Sequence, residues 1–344
     1  MATCGAKAVY IRAQSEGAGM KLAVSGGMVG DYEELLRPAL RMPWCIRFCP
    51  DRAALLAELG DADAVVTMSW AAGMPPAPHL RLLQLPGAGL DAVDLAAVPP
   101  TATVCNVYEH EIGIGEYVLA TMLEKEIGLA RLQAEIRADD WRSSLFCGGT
   151  PHGELFGKTL GIVGYGRIGR ETAKRAKAFG LKVVAATRSP EKRDEQVDEI
   201  VGMAQLPQVL ARADYLLIAC PLSAETRGLI DRAAFAAMRR SAVLINVARG
   251  PVVDEDALYE ACRDRLIAGA VIDVWYNYPK GGARIEPPSK HPLKHLDNVL
   301  MTPHVSGVSG GLLRRRWSLI ANNLNRLAAG QPLLNVVRAP LSAP

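Results

Sequence analysis

The sequence predicts an α/β protein with two parallel-sheet units, the larger of them doubly wound. Short apolar segments typical of strands alternate with helical segments along most of the chain. One such strand runs directly into three closely spaced glycines and then into a helical pattern. The length of 344 residues suits two domains better than one.

The first unit is a small α/β unit that follows an N-terminal extension, residues 1–19, which is rich in Gly and Ala and lacks periodicity. Its predicted strands lie at 21–25, 44–48, 64–68 and 81–85, with helices at 32–39 and 52–59. A last helix at 310–329 is expected to return to this unit. Residues 20–112 and 308–344 then form one discontinuous domain.

The second unit, residues 113–307, opens with a long predicted helix at 114–136. Its predicted strands lie at 160–163, 182–186, 215–219, 242–247, 269–274 and 299–301, and helices at 171–179, 233–238 and 254–261 lie between them. Six strands with crossing helices make a doubly wound sheet of the Rossmann type. Ligands of such sheets bind beyond the carboxyl ends of the strands.

The glycine motif GYGRIG at residues 164–169 is the first such strand end. Gly164 permits a tight turn, Gly166 lets the backbone approach a diphosphate, and Gly169 lets the helix pack on the strand. The helix N-terminus faces the negative charge of the ligand. The motif predicts a dinucleotide site.

Composition narrows the class of protein. The formal charge of +3, from 39 basic and 36 acidic residues, predicts neither nucleic-acid nor membrane-surface binding. Seven scattered cysteines without a Cys-x-x-Cys pair argue against a disulfide framework and a zinc site, so no metal is expected. No signal peptide and no apolar run of about 18 residues are found, which predicts a cytoplasmic protein.

Five motifs occur in order along the chain. They are LPGAGLD at 85–91, GKTLGIVGYGRIG at 157–169, PLSAETRGLI at 221–230, NVARG at 246–250 and TPH at 302–304. With these motifs the chain resembles the D-isomer-specific 2-hydroxyacid dehydrogenases, a family that includes phosphoglycerate, D-lactate and formate dehydrogenases and glyoxylate reductases. The resemblance implies an NAD(P)-dependent enzyme that interconverts a 2-oxo acid and a D-2-hydroxy acid. It also implies a cleft between the Rossmann domain and a smaller, flavodoxin-like substrate domain, and a homodimer formed through the long helix.

The resemblance and the side-chain chemistry together predict the catalytic roles. Arg249 offers a planar cation that can hold the substrate carboxylate and polarise its carbonyl group. His304 can exchange a proton near neutral pH, as general acid in reduction and general base in oxidation. Backbone amides around Ala88 and Gly89 are expected to bind the carboxylate. The predicted cofactor contacts are Gly164, Gly166, Arg167, Ile168, Thr187, Arg188, Ser189, Cys220, Pro221, Thr226, Val247, Ala248, Asp273, His304 and Gly307.

The resemblance assigns Asp273 to the nicotinamide carboxamide and expects a glutamate five residues later, where this chain has Tyr278. Counting back from His304 instead brings Glu286 almost into register, because residues 278–285 look like an insertion of about seven residues. Either Tyr278 replaces the carboxylate and His304 stays neutral at pH 7, or the loop bulges and Glu286 is the partner of the histidine.

The predicted substrate wall, residues 106–112, also departs from the family pattern. One interpretation places Asn106, Tyr108 and His110 at the substrate. The other makes Glu109 and Glu111 part of a solvated helix N-terminus.

The position about 20 residues past the glycines normally carries an acid that binds the ribose hydroxyl of NAD and repels a phosphate. Here Thr187, Arg188 and Ser189 stand there, which favours NADP(H) over NAD(H) unless Arg188 stacks on adenine or points to solvent. The alternative functions are a non-catalytic, dinucleotide-sensing protein like a corepressor and a formate- or phosphite-type dehydrogenase.

Overall fold

The computed structural model of the chain describes residues 19–25, 33–191, 194–279 and 284–341. The predicted N-terminal extension lies outside this part of the chain, apart from its last residue. The described residues form two compact units, one up to Tyr108 and again from Leu313 onward, the other Glu109–Leu312. The predicted boundaries at 112 and 307 fall a few residues inside the second of these units.

The strands in chain order are β1 (Met20–Ser25), β2 (Trp44–Cys49), β3 (Ala64–Val66), β4 (Leu82–Gln84), β5 (Thr103–Cys105), β6 (Thr159–Val163), β7 (Lys182–Thr187), β8 (Glu199–Gly202), β9 (Tyr215–Ile218), β10 (Val243–Asn246), β11 (Gly269–Ile272), β12 (Val299–Met301) and β13 (Val336–Arg338). The α-helices are α1 (Glu33–Leu36), α2 (Arg52–Glu58), α3 (His110–Ile127), α4 (Leu129–Arg137), α5 (Arg167–Ala178), α6 (Leu206–Arg212), α7 (Arg232–Ala237), α8 (Glu255–Arg263) and α9 (Gly310–Ala328). Single 3-10 turns occupy Arg37–Ala39, Leu145–Cys147, Met203–Gln205, Gly250–Val252 and Leu293–His295.

The first unit is built on a six-stranded sheet with the order β13-β5-β4-β3-β1-β2. All pairs are parallel except the edge pair β13 and β5. The buried face of α9, with Trp317, Ile320 and Leu324, packs with Leu22 and Val24 of β1. The predicted return of the C-terminal helix to this unit is therefore present in the structure.

The second unit contains a seven-stranded, fully parallel sheet with the order β12-β11-β10-β9-β6-β7-β8. The strand order reverses at β6 and β9, and ligands of doubly wound sheets bind at such a reversal. The predicted fold class is thus confirmed, with β8 added to the six strands that the sequence predicts. Within the described residues, no helix combines the length and the apolar character that a membrane span needs.

The prediction of a single long helix at 114–136 is wrong, because α3 and α4 are separate helices. Gly128, between them, has a φ of 72°, and its N–H donates to the carbonyl of Glu124. This left-handed residue ends α3 as glycine commonly does at a helix C-terminus. No residue of α4 is buried, so no packing on this helix favours a continuous helix across Gly128.

Candidate active site

The glycine loop connects β6 to α5 at the reversal of strand order. Gly164 has a φ of +95°, and a Cβ built on it would lie 2.6 Å from the backbone N and Cα of Cys220. A Cβ on Gly169 would lie 2.6 Å from the Gly164 carbonyl oxygen and 3.2 Å from the Ile162 side chain. Both positions therefore exclude a side chain for packing reasons within the protein itself.

Gly166 is different, because a Cβ there would meet nothing within 4 Å. The residue precedes α5, whose first turn has no side-chain cap and no acidic residue. Open space in front of uncapped N–H groups suits a diphosphate. The residues present therefore fit a dinucleotide, with Arg167 and Ile168 in the first turn of the helix that would face its phosphates.

The loop after β9 faces the glycine loop, since Cys220 backs directly onto Gly164. Burial raises the pKa of the Cys220 thiol to about 11, which keeps it protonated. Thr226 donates to the Pro221 carbonyl at 2.7 Å and accepts from the Ser223 N–H at 2.7 Å. The hydroxyl of Thr226, a predicted cofactor contact, thus closes the turn that positions Pro221.

Thr187 ends β7, and the N–H of Ser189 points at its hydroxyl oxygen at 3.5 Å. Arg188 is exposed at this strand end. The hydrogen bond from Ser223 lowers the pKa of Glu225, and the positive charge of Arg188 adds to the effect. Hydroxyls and a guanidinium thus occupy the position after β7, as the sequence indicates.

Arg249 follows β10 in a loop that is held by Asn246. The Asn246 side chain donates to the Arg249 carbonyl at 3.0 Å and accepts from the Ala248 N–H at 3.1 Å. The guanidinium of Arg249 itself donates to the Ala248 carbonyl at 2.8 Å. A Cβ on Gly250 would lie 2.4 Å from the carbonyl oxygen of Trp275, so glycine lets this loop lie on the loop after β11.

Asp273 follows β11 and is 0 % exposed. Its Oδ1 accepts from the Thr302 hydroxyl at 2.6 Å and the Val305 N–H at 2.8 Å, and its Oδ2 accepts from the Ser306 N–H at 2.9 Å. These partners flank His304 on both sides. The carboxylate thus positions the histidine loop, and Oδ2, which accepts only one of these bonds, keeps room for a further donor. The role of Asp273 in orienting the nicotinamide stays a prediction.

Two supporting side chains, Thr302 and Tyr117, were not predicted as site residues. The Thr302 hydroxyl, which donates to Asp273, accepts from the Tyr117 hydroxyl at 2.6 Å, and the Thr302 carbonyl accepts from the Trp275 indole N–H at 2.8 Å. Thr302 is the first residue of the TPH motif, so the motif could have identified it as a site residue. Tyr117 lies far away in the chain, in α3, and nothing in its neighbourhood marks it.

His304 is held by Tyr278. The His304 Nδ1 and the Tyr278 hydroxyl oxygen lie 2.9 Å apart, and that hydroxyl also accepts from the Trp275 backbone N–H at 3.1 Å. Partial desolvation lowers the pKa of His304, and the positive charge of Arg249 lowers it further against the opposing effect of Asp273. The neutral imidazole is therefore favoured.

Glu286, the other candidate partner, is solvent-exposed. The inserted segment is closed at its base, where the Tyr276 N–H donates to the Pro288 carbonyl at 3.2 Å. Tyr278 comes two residues after this base, on the limb of the loop that follows β11, and its hydroxyl contacts His304. Glu286 lies on the far limb of the loop, so the hypothesis that its carboxylate partners the histidine is wrong for this structure.

The two parts of the predicted substrate wall lie in different units. Asn106, 3 % exposed, donates to the Ala88 carbonyl at 3.1 Å and so supports the loop of Ala88 and Gly89. His110 opens α3, and a Cβ on Gly307 would lie 3.4 Å from its Cβ. Glu111 is buried with Arg167 at 3.7 Å, which contradicts a fully solvated helix N-terminus.

The remaining predicted cofactor residues, Val247 and Ala248, are buried directly after β10. The candidate site thus lies along the carboxyl edge of the sheet. The glycine loop follows β6, the hydroxyls and guanidinium of residues 187–189 lie at the end of β7, and Arg249, Asp273 and His304 follow β10, β11 and β12. This arrangement defines a dinucleotide site with a cation and a histidine on one protein unit.

Comparison with known proteins identifies the family. Residues 119–306 match the model of the NAD-binding domain of D-isomer specific 2-hydroxyacid dehydrogenases. A D-3-phosphoglycerate dehydrogenase of Methanocaldococcus jannaschii is 31% identical over 83% of this chain and 53% of its own length. A glyoxylate reductase of Thermofilum pendens is 32% identical over 82% of this chain and 83% of its own.

A solved structure of a D-isomer specific 2-hydroxyacid dehydrogenase from Xanthobacter autotrophicus Py2, in complex with NADPH and MES, matches with a TM-score of 0.76. It is 28% identical, over 93% of this chain and 98% of that one. The chain belongs to the D-isomer specific 2-hydroxyacid dehydrogenase family. It spans about half the length of the phosphoglycerate dehydrogenases that it matches.

Proposed function

We propose that the protein is an NAD(P)-dependent oxidoreductase that interconverts a 2-oxo acid and a D-2-hydroxy acid. The observation that carries this proposal is that Arg249 and His304 lie at the same edge of the sheet as the glycine loop. The two side chains are close enough for the charge of Arg249 to lower the pKa of His304. A bound nicotinamide supplies or accepts the hydride. The family membership and the glyoxylate reductase among the relatives support the same reaction class.

In the proposed reduction, the guanidinium of Arg249 binds the substrate and polarises its carbonyl group. His304 gives a proton to the carbonyl oxygen, and in oxidation it takes the hydroxyl proton. Asp273 holds the His304 loop in place through its hydrogen bonds to Val305 and Ser306. Backbone amides around Ala88 and Gly89 are proposed to bind a carboxylate, because a glycine lets a ligand approach the backbone closely.

The direct test is turnover of glyoxylate, pyruvate and hydroxypyruvate with NADPH and NADH, followed by loss of reduced-nicotinamide absorbance. The control is His304→Gln, which keeps the glycine loop intact and is expected to bind the dinucleotide while losing about 100-fold or more in kcat. Tight dinucleotide binding without oxidation of any reduced cofactor, across the panel, would instead favour the sensing protein.

We also propose that NADP(H) is preferred over NAD(H). The end of β7 carries Thr187, Arg188 and Ser189 in place of an acid, and a negatively charged 2′-phosphate suits hydroxyls and a guanidinium. The related Xanthobacter structure contains NADPH.

The test of cofactor choice is Thr187→Asp, which adds an acid where NAD sites carry one. The ratio of kcat/KM with NADPH to that with NADH is expected to fall below one. Lys182→Gln is a matched control, because it changes the net charge equally at the exposed opposite end of the same strand. Equal ratios in the Thr187→Asp variant and the unaltered protein would refute the assignment.

Finally, we propose a homodimer formed through the segment that follows α3. Large apolar side chains are exposed there, among them Leu129, Trp141, Leu145 and Phe146, the last 96 % exposed. Several large apolar side chains exposed within one segment are typical of a protein interface. Phe146→Glu is expected to halve the mass measured by light scattering, whereas Met42→Glu, at an exposed apolar residue of the first unit, is expected to leave it unchanged.

A further inference from the structure

The unusual partner of the catalytic histidine determines where its proton lies. The Tyr278 hydroxyl accepts a hydrogen bond from the Trp275 backbone N–H at 3.1 Å, and a backbone N–H can only donate. The hydroxyl proton is then directed to its other neighbour, the Nδ1 of His304 at 2.9 Å. We propose that Tyr278 is a positioning residue that donates to Nδ1 and holds His304 as the neutral tautomer with its proton on Nε2.

A carboxylate in the same place would act in the opposite sense. It can only accept, so it would bind an Nδ1–H and stabilise the imidazolium. The phenol of Tyr278 is neutral, and among the described residues the charged groups that act on the ring are Arg249 and Asp273. Arg249 disfavours the imidazolium, and the carboxylate of Asp273 is already bonded to Thr302 and to the histidine loop.

This inference deepens the proposed function and rests on it for its chemical consequence. With the proton on Nε2, His304 can donate a hydrogen bond to the carbonyl oxygen of a 2-oxo acid without first being protonated. The residue is thus prepared for reduction at a pH where a carboxylate-paired histidine depends on its charged form.

The proton transfer balances through Tyr278. As the carbonyl carbon gains a hydride, the Nε2–H bond breaks and its proton passes to the carbonyl oxygen. The O–H bond of Tyr278 breaks in the same step, and that proton goes to Nδ1. The Nδ1 proton then returns to the Tyr278 phenolate while Nε2 takes one proton from water, which restores the starting tautomer. One hydride and one solvent proton are thus consumed for each hydroxy acid that is formed.

The first test does not depend on activity. Nitrogen-15 NMR of the full chain labelled at histidine reports the tautomer, and the His304 signals are assigned by their absence in His304→Gln. Neutral His304 with its proton on Nε2 is expected in the unaltered protein. In Tyr278→Glu the proton is expected on Nδ1, with the imidazolium persisting to a pH about one unit or more higher. An Nδ1–H tautomer in the unaltered protein would overturn the proposal.

The second test is the pH profile of kcat/KM for glyoxylate reduction. The unaltered protein is expected to show little change across about pH 6 to 8, since neutral His304 is the donor. Tyr278→Glu is expected to lose activity about tenfold per pH unit above the raised pKa of His304. Tyr278→Phe keeps the ring but removes the donor, and a fall of about tenfold in kcat with unchanged KM is expected.

The outcomes separate the two proposals. A Tyr278→Phe variant with the kcat and the pH profile of the unaltered protein refutes the role of the hydroxyl. Thermal unfolding of both Tyr278 variants distinguishes this result from a loss of fold. Absence of turnover in the unaltered protein, together with the expected tautomer in the NMR spectra, refutes the proposed oxidoreductase function and leaves the histidine geometry standing.

Discussion

The substitution Gly166→Ala separates the binding role of a glycine from a packing role. The residue has a φ of −87°, which alanine adopts readily, and a Cβ there meets nothing within 4 Å. Alanine is a poorer N-cap than glycine, at a cost of about 1 kcal/mol or less. The midpoint of thermal unfolding is therefore expected to fall by no more than about 4 °C.

The same methyl group is expected to weaken dinucleotide binding strongly. It would occupy the open space in front of the first turn of α5, where the N–H groups face the diphosphate. Displacing the phosphates from two charge-assisted hydrogen bonds, each contributing about 1.5 kcal/mol, removes about 3 kcal/mol. The Kd for NADPH should rise about 100-fold.

Gly164→Ala is the matched control, because it makes the same chemical change two residues earlier. Its φ of +95° and the 2.6 Å approach to the Cys220 backbone predict both strain and overlap, together about 3 to 5 kcal/mol of lost stability. Calorimetric titration with NADPH and thermal unfolding are measured on both variants. Wild-type affinity for NADPH in Gly166→Ala would show that the open space is not the phosphate site.

Three further outcomes are expected. Arg249→Lys keeps the charge but loses the planar fork, so kcat/KM for the oxo acid should fall about 100-fold while the Kd for NADPH, measured by titration, stays unchanged. Asp273→Asn places an amide against the Ser306 N–H and should lower the unfolding free energy in urea by about 2 to 4 kcal/mol. Because the pKa of His304 is lowered in the folded state, its contribution to stability is present above the unfolded pKa of about 6.5 and is lost as the pH falls below it. Below about pH 6.5, the urea midpoint should therefore depend less on pH in His304→Gln than in the unaltered protein. An equal dependence in the two proteins would contradict the lowered pKa.

The architecture was predictable because it depends on patterns that are local in the chain. Apolar segments of four to six residues, punctuated by Gly, Pro and Asp, mark most strands of both sheets. The strands that were not predicted, β5, β8 and β13, are three or four residues long, and β13 pairs with β5, which lies far away in the sequence. Such short segments carry too little periodicity to be recognised before their neighbours are in place.

The glycine motif was predictable in the same way. The distinct environments of Gly164, Gly166 and Gly169 follow from the strand–turn–helix geometry that the motif itself imposes. Gly128 was present in the sequence as well, but a single glycine inside a helical pattern does not decide between a tolerated residue and a helix end. In the structure, the left-handed conformation of Gly128 shows that it ends the helix.

The sequence by itself determined the fold class and the family, and it predicted Arg249 and His304 as the candidate catalytic residues, because each depends on a motif that is contiguous in the chain. Only the tertiary structure decided which side chain contacts His304 and what Asp273 binds. Tyr278 and Glu286 are separated by an insertion whose path depends on where its two ends pair, and that pairing involves backbone groups that any sequence carries. The hydrogen bonds of Asp273 join two different strand ends, so they exist only once the sheet has formed.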